Sequence, residues 1–309
     1  MKSPDKTAKV STEPLRFSNN MKTLILSFLL TTSALAVDPF STNAFIFGDV
    51  ETNGGHSDGS IVVGGNWSGS SYEIRQHSNT PAINGNGLIL GGDNNVSQYL
   101  RVLNGNALYE GAQGNLSTNV GTKTHGNVDL TSEIQGLYSL LSSLYGLSGV
   151  EINTSGMNNI TMSAAANTLN GHLKVFAIDS TEITGNRTLS FSGLTSLDLV
   201  LINVTGDSVN WNWSVNNNAS QLLWNFGDTT ALNVDSREFT GTILAPLAHV
   251  DQRQNINGTL IADSWTVYGS TELHSRPLEN IELVNIPEPS AAFLIALTGV
   301  AWILKRRTR

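Results

Sequence analysis

The chain has no cysteine, and only 14% of its 309 residues are charged. Zero cysteine excludes a disulfide framework, a thiolate zinc site and a cysteine nucleophile at once. Basic residues are scarce too: 17 Lys and Arg stand against 25 Asp and Glu, a formal charge of −8. A phosphate-binding surface needs clustered Lys and Arg, so nucleic acid is not the expected partner. Catalytic signatures are also missing. His56, His77, His125, His172, His249 and His274 are never closer than 21 residues, and there is no H-E-x-x-H pair, G-x-S-x-G elbow or P-loop.

Small polar residues fill the space instead: 33 Asn, 33 Ser and 29 Thr, with 29 Gly. Such a composition suits short strands and tight turns better than long helices. Gly59-Ser60-Ile61-Val62-Val63-Gly64-Gly65 resembles Gly87-Leu88-Ile89-Leu90-Gly91-Gly92, their double glycines 27 residues apart. Gly241-Thr242-Ile243-Leu244-Ala245 resembles Gly258-Thr259-Leu260-Ile261-Ala262 at an offset of 17. Short apolar strands between Gly and Asn corners predict the rungs of an irregular β-solenoid. Periodicity alone leaves a β-sandwich open. Val209-Asn210-Trp211-Asn212-Trp213-Ser214-Val215 alternates without a fault and reads as one strand, with both tryptophans on the valine face.

One segment follows a different period. Leu130, Ile134, Leu137, Leu141 and Leu144 form an apolar stripe at helical spacing. A long amphipathic helix is expected over residues 130–145, with Ser132 and Gln135 as a capping box and Gly146 and Gly149 as stops. The fold class is therefore mainly β, a solenoid with one helix packed alongside.

The two ends read as addresses. Met21-Lys22, the apolar run Leu24 to Leu30 and Ala34-Leu35-Ala36 make the three parts of a secretory signal peptide, cut after Ala36. Residues 1–20 are hydrophilic, and Met21 is the expected true start. At the other end Pro287-Glu288-Pro289 precedes a 14-residue apolar run, 291–304, and then Lys305-Arg306-Arg307. As a helix that run is about 21 Å long, short of a hydrocarbon core of about 30 Å. The positive-inside tendency keeps its basic tail cytoplasmic.

These C-terminal residues resemble the PEP-CTERM sorting signal of Gram-negative bacteria. The resemblance implies that an exosortase-type membrane protease reads and cuts the tail, after transient insertion of the helix in the inner membrane. Between the addresses, residues 37–286 read as one domain. Its opening Ala44-Phe45-Ile46-Phe47-Gly48-Asp49-Val50 and Asp58 to Asn66 resemble the start of the choice-of-anchor A domain. Leu201 to Gly206, Leu223 to Phe226, Gly241 to Pro246, Ile256 to Ala262 and Glu272-Leu273-His274 resemble its later motifs in order. The chain departs from the family pattern at Leu247-Ala248-His249, where an Asn after the proline and an acid before the valine are expected. The resemblance implies a surface domain of bacteria with an adhesive role, and a fold similar to ice-binding proteins.

The site to expect is correspondingly diffuse. Trp211 and Trp213 are the candidates for stacking on sugar rings, with the apolar core as the competing use of an indole. No cofactor is expected. Asp93-Asn94-Asn95 after Gly92 could offer oxygen ligands to calcium, although turn chemistry explains it without an ion. Asp49, Glu51 and Glu272 are the acids a rival polysaccharide-degrading enzyme would bring together. For His274 a structural hydrogen bond closing the last rung is expected. Ice binding would need regular T-x-T ladders on a flat face, and only Thr122-Lys123-Thr124 and Thr240-Gly241-Thr242 occur. With Asn, Ser and Thr this frequent, chance accounts for many of the ten N-x-S/T sequons, Asn66, Asn159, Asn203 and Asn257 among them, and they support glycosylation only weakly.

The resulting expectation is a secreted bacterial protein of the cell surface or exopolysaccharide matrix. Its domain would be non-catalytic and adhesive, with a glycan or surface protein as ligand; a purely structural coat role is the other alternative. Residues 37–286 carry eight Lys and Arg against 22 Asp and Glu, a net −14. So acidic a body points away from anionic surfaces and toward neutral sugars, protein or cation-bridged partners.

Overall fold

The computed structural model describes residues 37–284 apart from 168–170. The leader with Ala34 and Ala36, the Pro287-Glu288-Pro289 motif, the 291–304 run and Lys305 to Arg307 lie outside them. Among the described residues no helix is long and apolar enough to cross a membrane.

The described residues form a β-solenoid. Strands stack in parallel along one side in the order Val150–Glu151, Leu173–Asp179, Leu199–Thr205, Leu222–Asn225, Thr242–Gln252, Leu260–Val267, Ala44–Ile46, Ile61–Val63, Asn86–Leu90, Asn106–Tyr109 and Lys123–His125. Pairing between strands is parallel throughout, which rules out the sandwich, an architecture of antiparallel sheets.

Spatial order is not chain order. Ala44–Ile46 lies between Leu260–Val267 and Ile61–Val63, with Phe45 registered on Ile261 and on Val62. From this interior rung the chain runs to one end of the stack at Lys123–His125. Helix α1, Thr131–Tyr145, then carries it back along the outside. It resumes at the other end with Val150–Glu151 and returns to meet its own first rung.

The apolar triads follow from this layout. Ala44 and Ile46, Ile61 and Val63, and Leu88 and Leu90 join the central core. The residues between them, Phe45, Val62 and Ile89, are 0% exposed without belonging to that core. They lie on the outer side of the sheet, where α1 packs across Leu222–Asn225 and Thr242–Gln252. Strands buried on both faces read as unbroken apolar runs. Both double glycines mark a corner where successive rungs nearly touch. A Cβ on Gly65 would stand 2.4 Å from Asp49 Oδ1, and one on Gly92 would stand 2.5 Å from the Gly65 carbonyl carbon.

Three local expectations are corrected. The capping box does not form: Ser132 Oγ donates to Glu133 Oε2 at 2.8 Å, and the Thr131 amide is held at 3.0 Å by Asp129 Oδ1 instead. Ile134 is only half-buried, while Leu140 joins Leu137, Leu141 and Leu144 beneath the helix. The alternating Val209 to Val215 run is two strands, Ser208–Trp211 and Ser214–Val215, on different sheets. A corner falls between Trp211 and Trp213, and alternation carried around it turns both indoles inward.

Candidate adhesive face

A second side of the solenoid is open to solvent. Ser208–Trp211, Ala231–Val234, Thr242–Gln252, Leu260–Val267, Val50–Thr52, Trp67–Ile74 and Asn94–Val102 stack there in parallel. Val209, Leu232, Val250, Trp265, Val50 and Trp67 point into the core. Period-2 alternation then places Asn210, Asn233, Asp251, Thr266, Glu51, Ser68 and Asn95 in one outward row. At about 4.8 Å per rung, this row runs for about 29 Å.

Side chains bridge neighbouring rungs along the face. Asn233 Nδ2 donates to Asn210 Oδ1 at 2.7 Å. His249 meets Ser264 Oγ at 2.9 Å, with Thr266 Oγ1 and Asp251 Oδ1 each at 3.3 Å. At one edge the Arg253 guanidinium sits 3.7 Å over the Tyr268 ring, and its Nε pairs with Asp235 at 3.2 Å. Contacts of this kind hold a polar array in place before anything binds, which lowers the ordering cost of association.

The sugar-stacking candidates are not on this face. Trp211 and Trp213 are 0% exposed, and their Nε1 groups donate to the carbonyls of Glu238 at 3.3 Å and Thr184 at 3.4 Å. Trp67, Trp224 and Trp265 are equally buried. Packing energy explains the correction: an indole whose N–H finds a carbonyl stabilises most when fully enclosed. Asp93, considered as a calcium ligand, belongs to the corner ladder. Asp49 Oδ1 accepts from the Asn66 amide at 2.7 Å, Asn66 Oδ1 from Asp93 at 2.9 Å, and Asp93 Oδ1 from Ala112 at 2.6 Å. Asn94 caps its own turn through the Val96 amide. Among the described residues no three His, Asp or Glu side chains converge as metal ligands.

Nor do the three acids of the enzyme reading meet. Asp49 sits in the corner ladder and Glu51 on the open face, whereas Glu272 belongs to a third side, where Glu272–His274 stacks between Ile256–Asn257 and His56–Ser57. There the last rung joins the first. His274 Nδ1 lies 3.3 Å from Asp58 Oδ2, and its Nε2 lies 3.2 Å from Glu272 Oε2. His77 approaches Asp58 Oδ1 at 3.3 Å, beside a cleft of about 400 Å³ lined by Thr80, Pro81, Ser275 and Arg276. Burial, reinforced by the Asp58 and Glu272 carboxylates, holds the neighbouring Tyr72 phenol well above its ordinary pKa. Sequence reasoning found His274 but not Asp58, which lies 216 residues away.

A second hollow, about 420 Å³, is lined by Ala164, His172, Lys174, Thr195 and Asp198. Its Asp198 carboxylate accepts from His172 Nδ1 at 2.9 Å and from the Thr195 amide at 2.7 Å. Asn203, one of the sequons, is buried against α1 and is therefore no acceptor for a glycan in the folded domain.

The described residues thus form a parallel solenoid with a lengthwise helix and an open polar face. The chain belongs to the family described as "Putative Ice-binding-like adhesive domain", matched over residues 41–275. Among solved structures it is similar to an ice-binding protein from an Antarctic biological consortium, at 12% identity over 87% of this chain and 98% of that one, with a TM-score of 0.41. It is also similar to an ice-binding protein of the Antarctic ascomycete Antarctomyces psychrotrophicus, at 12% identity, 80% and 97% coverage and a TM-score of 0.39. No curated protein matches.

Proposed function

We propose that this is an exported bacterial protein of the cell surface or exopolysaccharide matrix, attaching through the open face and catalysing nothing. The observation that carries the reading is the outward row from Asn210 to Asn95, a continuous display of amide, hydroxyl and carboxylate groups on a rigid sheet. Repeating groups at rung spacing suit a repeating polymer, and the net −14 of residues 37–286 directs the choice to neutral polysaccharide or protein. On this reading the leader is removed after Ala36. The Pro287-Glu288-Pro289 tail, with helix 291–304 in the inner membrane, hands the chain to an exosortase-type protease.

Ice is a poor ligand for this face. Its charged Glu51 and Asp251 hold water tightly, and its one threonine, Thr266, is only 8% exposed. The purified chain should therefore be retained on neutral matrix polysaccharide or surface glycoprotein and show no thermal hysteresis. Replacing Asn95 and Asn233 together by Arg should weaken retention ten-fold or more while moving the thermal midpoint by no more than about 2 °C. No binding across a broad glycan and matrix-protein array, or undiminished binding by the double variant, would overturn the reading.

A further inference from the structure

Glu133 is the only charged residue of α1, and it is 4% exposed. Its Oε2 accepts from Ser132 Oγ at 2.8 Å, and its Oε1 accepts from the backbone nitrogen of Val37 at 3.3 Å, a residue 96 positions away and itself buried. Among the described residues no Lys, Arg or His pairs with it. A carboxylate withdrawn from water needs a counter-charge, because hydrogen bonds from neutral groups offset its desolvation only in part. The helix N-terminus favours an acid in the first turn, but it does so equally for one facing solvent. It therefore does not explain why this acid is turned inward onto Val37.

The residue before that nitrogen is Ala36, the last of Ala34-Leu35-Ala36, the small-residue pattern at which a signal peptidase cuts. Hydrolysis there adds one water across the peptide bond. The Ala36 carbonyl carbon takes the hydroxyl, the Val37 nitrogen takes the hydrogen, and the freed amine binds a solvent proton. We propose that this cleavage converts the Val37 amide into the ammonium that Glu133 lacks, so that leader removal completes a buried ion pair. The inference rests on the export reading above.

Its consequence lies in what the pair joins. Val37 begins the segment that feeds the interior rung Ala44–Ile46, and Glu133 opens the helix that links the two ends of the stack. The pair fastens the crossover helix to the start of the domain only once the leader has gone. Before that, Glu133 is a buried charge with neutral partners, and the domain is less stable. Asp38, exposed and engaged by the Phe40 amide, is the other acid next to the new terminus and does not replace Glu133.

The test uses the full chain with residues 32–36 exchanged for the recognition sequence of a protease that cuts after its last residue, so that cutting exposes Val37. Cutting should raise the thermal midpoint by about 4–8 °C. Acetylating the new α-amine should abolish the rise. Glu133→Gln should reverse the signs, raising the midpoint of the uncut chain and lowering that of the cut one relative to the parent. N-terminal sequencing of the chain recovered outside an exporting bacterium should begin at Val37. No rise in a chain that is exported and begins at Val37, or an equal rise in the Gln variant, overturns the pairing. A chain that is not exported, or that begins elsewhere, overturns the processing step and the leader reading with it.

Discussion

Asn203 donates from Nδ2 to the carbonyl of Leu144 at 3.0 Å, while its Oδ1 accepts from Nδ2 of Asn225 at 2.8 Å. The same Nδ2 lies 3.3 Å from the carbonyl of Leu147. The last carbonyls of a helix have no partner within it, and here that of Leu144 accepts from the Leu147 amide at 3.1 Å as well as from this side chain of the sheet. Asn203→Ala should cost about 2 kcal/mol of unfolding free energy, read from urea melts, since the buried Asn225 amide is left without its acceptor. Amides of the last turn of α1 should exchange faster. Asn225→Ala in the same chain should add less than its separate cost, because the two amides form one chain of bonds.

Trp211 packs edge-on to Trp224 at a centroid distance of 4.9 Å and against Phe239 at 4.3 Å. Trp211→Ala should therefore destabilise by about 3–5 kcal/mol, as the removal of a core aromatic does. Saturating the parent protein with a bound glycan should leave its tryptophan emission unshifted, since every indole described is enclosed. A ligand-dependent blue shift would place a ring at the binding surface after all.

Two glycine substitutions should act in opposite directions. Gly92→Ala drives a Cβ to 2.5 Å from the backbone of Gly65, a contact that only movement of the stacked corner relieves. A cost of about 2–3 kcal/mol is expected, typical of an overpacked site. Gly136, inside α1, has nothing within 4 Å of its added Cβ. Gly136→Ala should stabilise by about 0.5–1 kcal/mol through helix propensity alone. Thermal melts of the two variants would show the contrast directly.

Asp198 sets an acid limit. Burial is the largest influence on its carboxyl and pushes the pKa up. The bonds from the Thr195 amide, His172 and the Thr195 hydroxyl, with the Lys174 charge, together outweigh burial and leave the pKa below the ordinary carboxylate range. A folded pKa beneath the unfolded one, about 3.9, means that the carboxylate stabilises the fold at neutral pH. That contribution fades as pH falls from about 4 through the lower folded value. Asp198→Asn should lower the thermal midpoint at pH 7 and flatten its decline below about pH 4.

The rungs and the helix were legible because each is written locally. Ile61-Val62-Val63 and Leu88-Ile89-Leu90 announce strands enclosed on both sides, and the leucine stripe announces α1. Trp211 and Trp213 show where local patterns stop: alternation says that two rings share a side but not whether that side faces water. Asp58 and His274 meet only because the chain closes on its own first rung, and Val37 and Glu133 only because α1 turns back along the stack; contacts between such distant residues leave no periodic trace. Glu133 gave no warning either, since an acid in the first turn of a helix is ordinary.

Because Ala44–Ile46 is inserted beside Leu260–Val267, both extremities of the stack are made from the middle of the chain. A circular permutant joined between Ser275 and Phe40 and opened between Gly126 and Leu130 would thread every rung in consecutive order. Its solenoid could grow from one extremity to the other without waiting for a distant partner. In the natural connectivity the interior rung finds one of its two neighbours only in the final quarter of the chain, with Ala44 registered on Leu260.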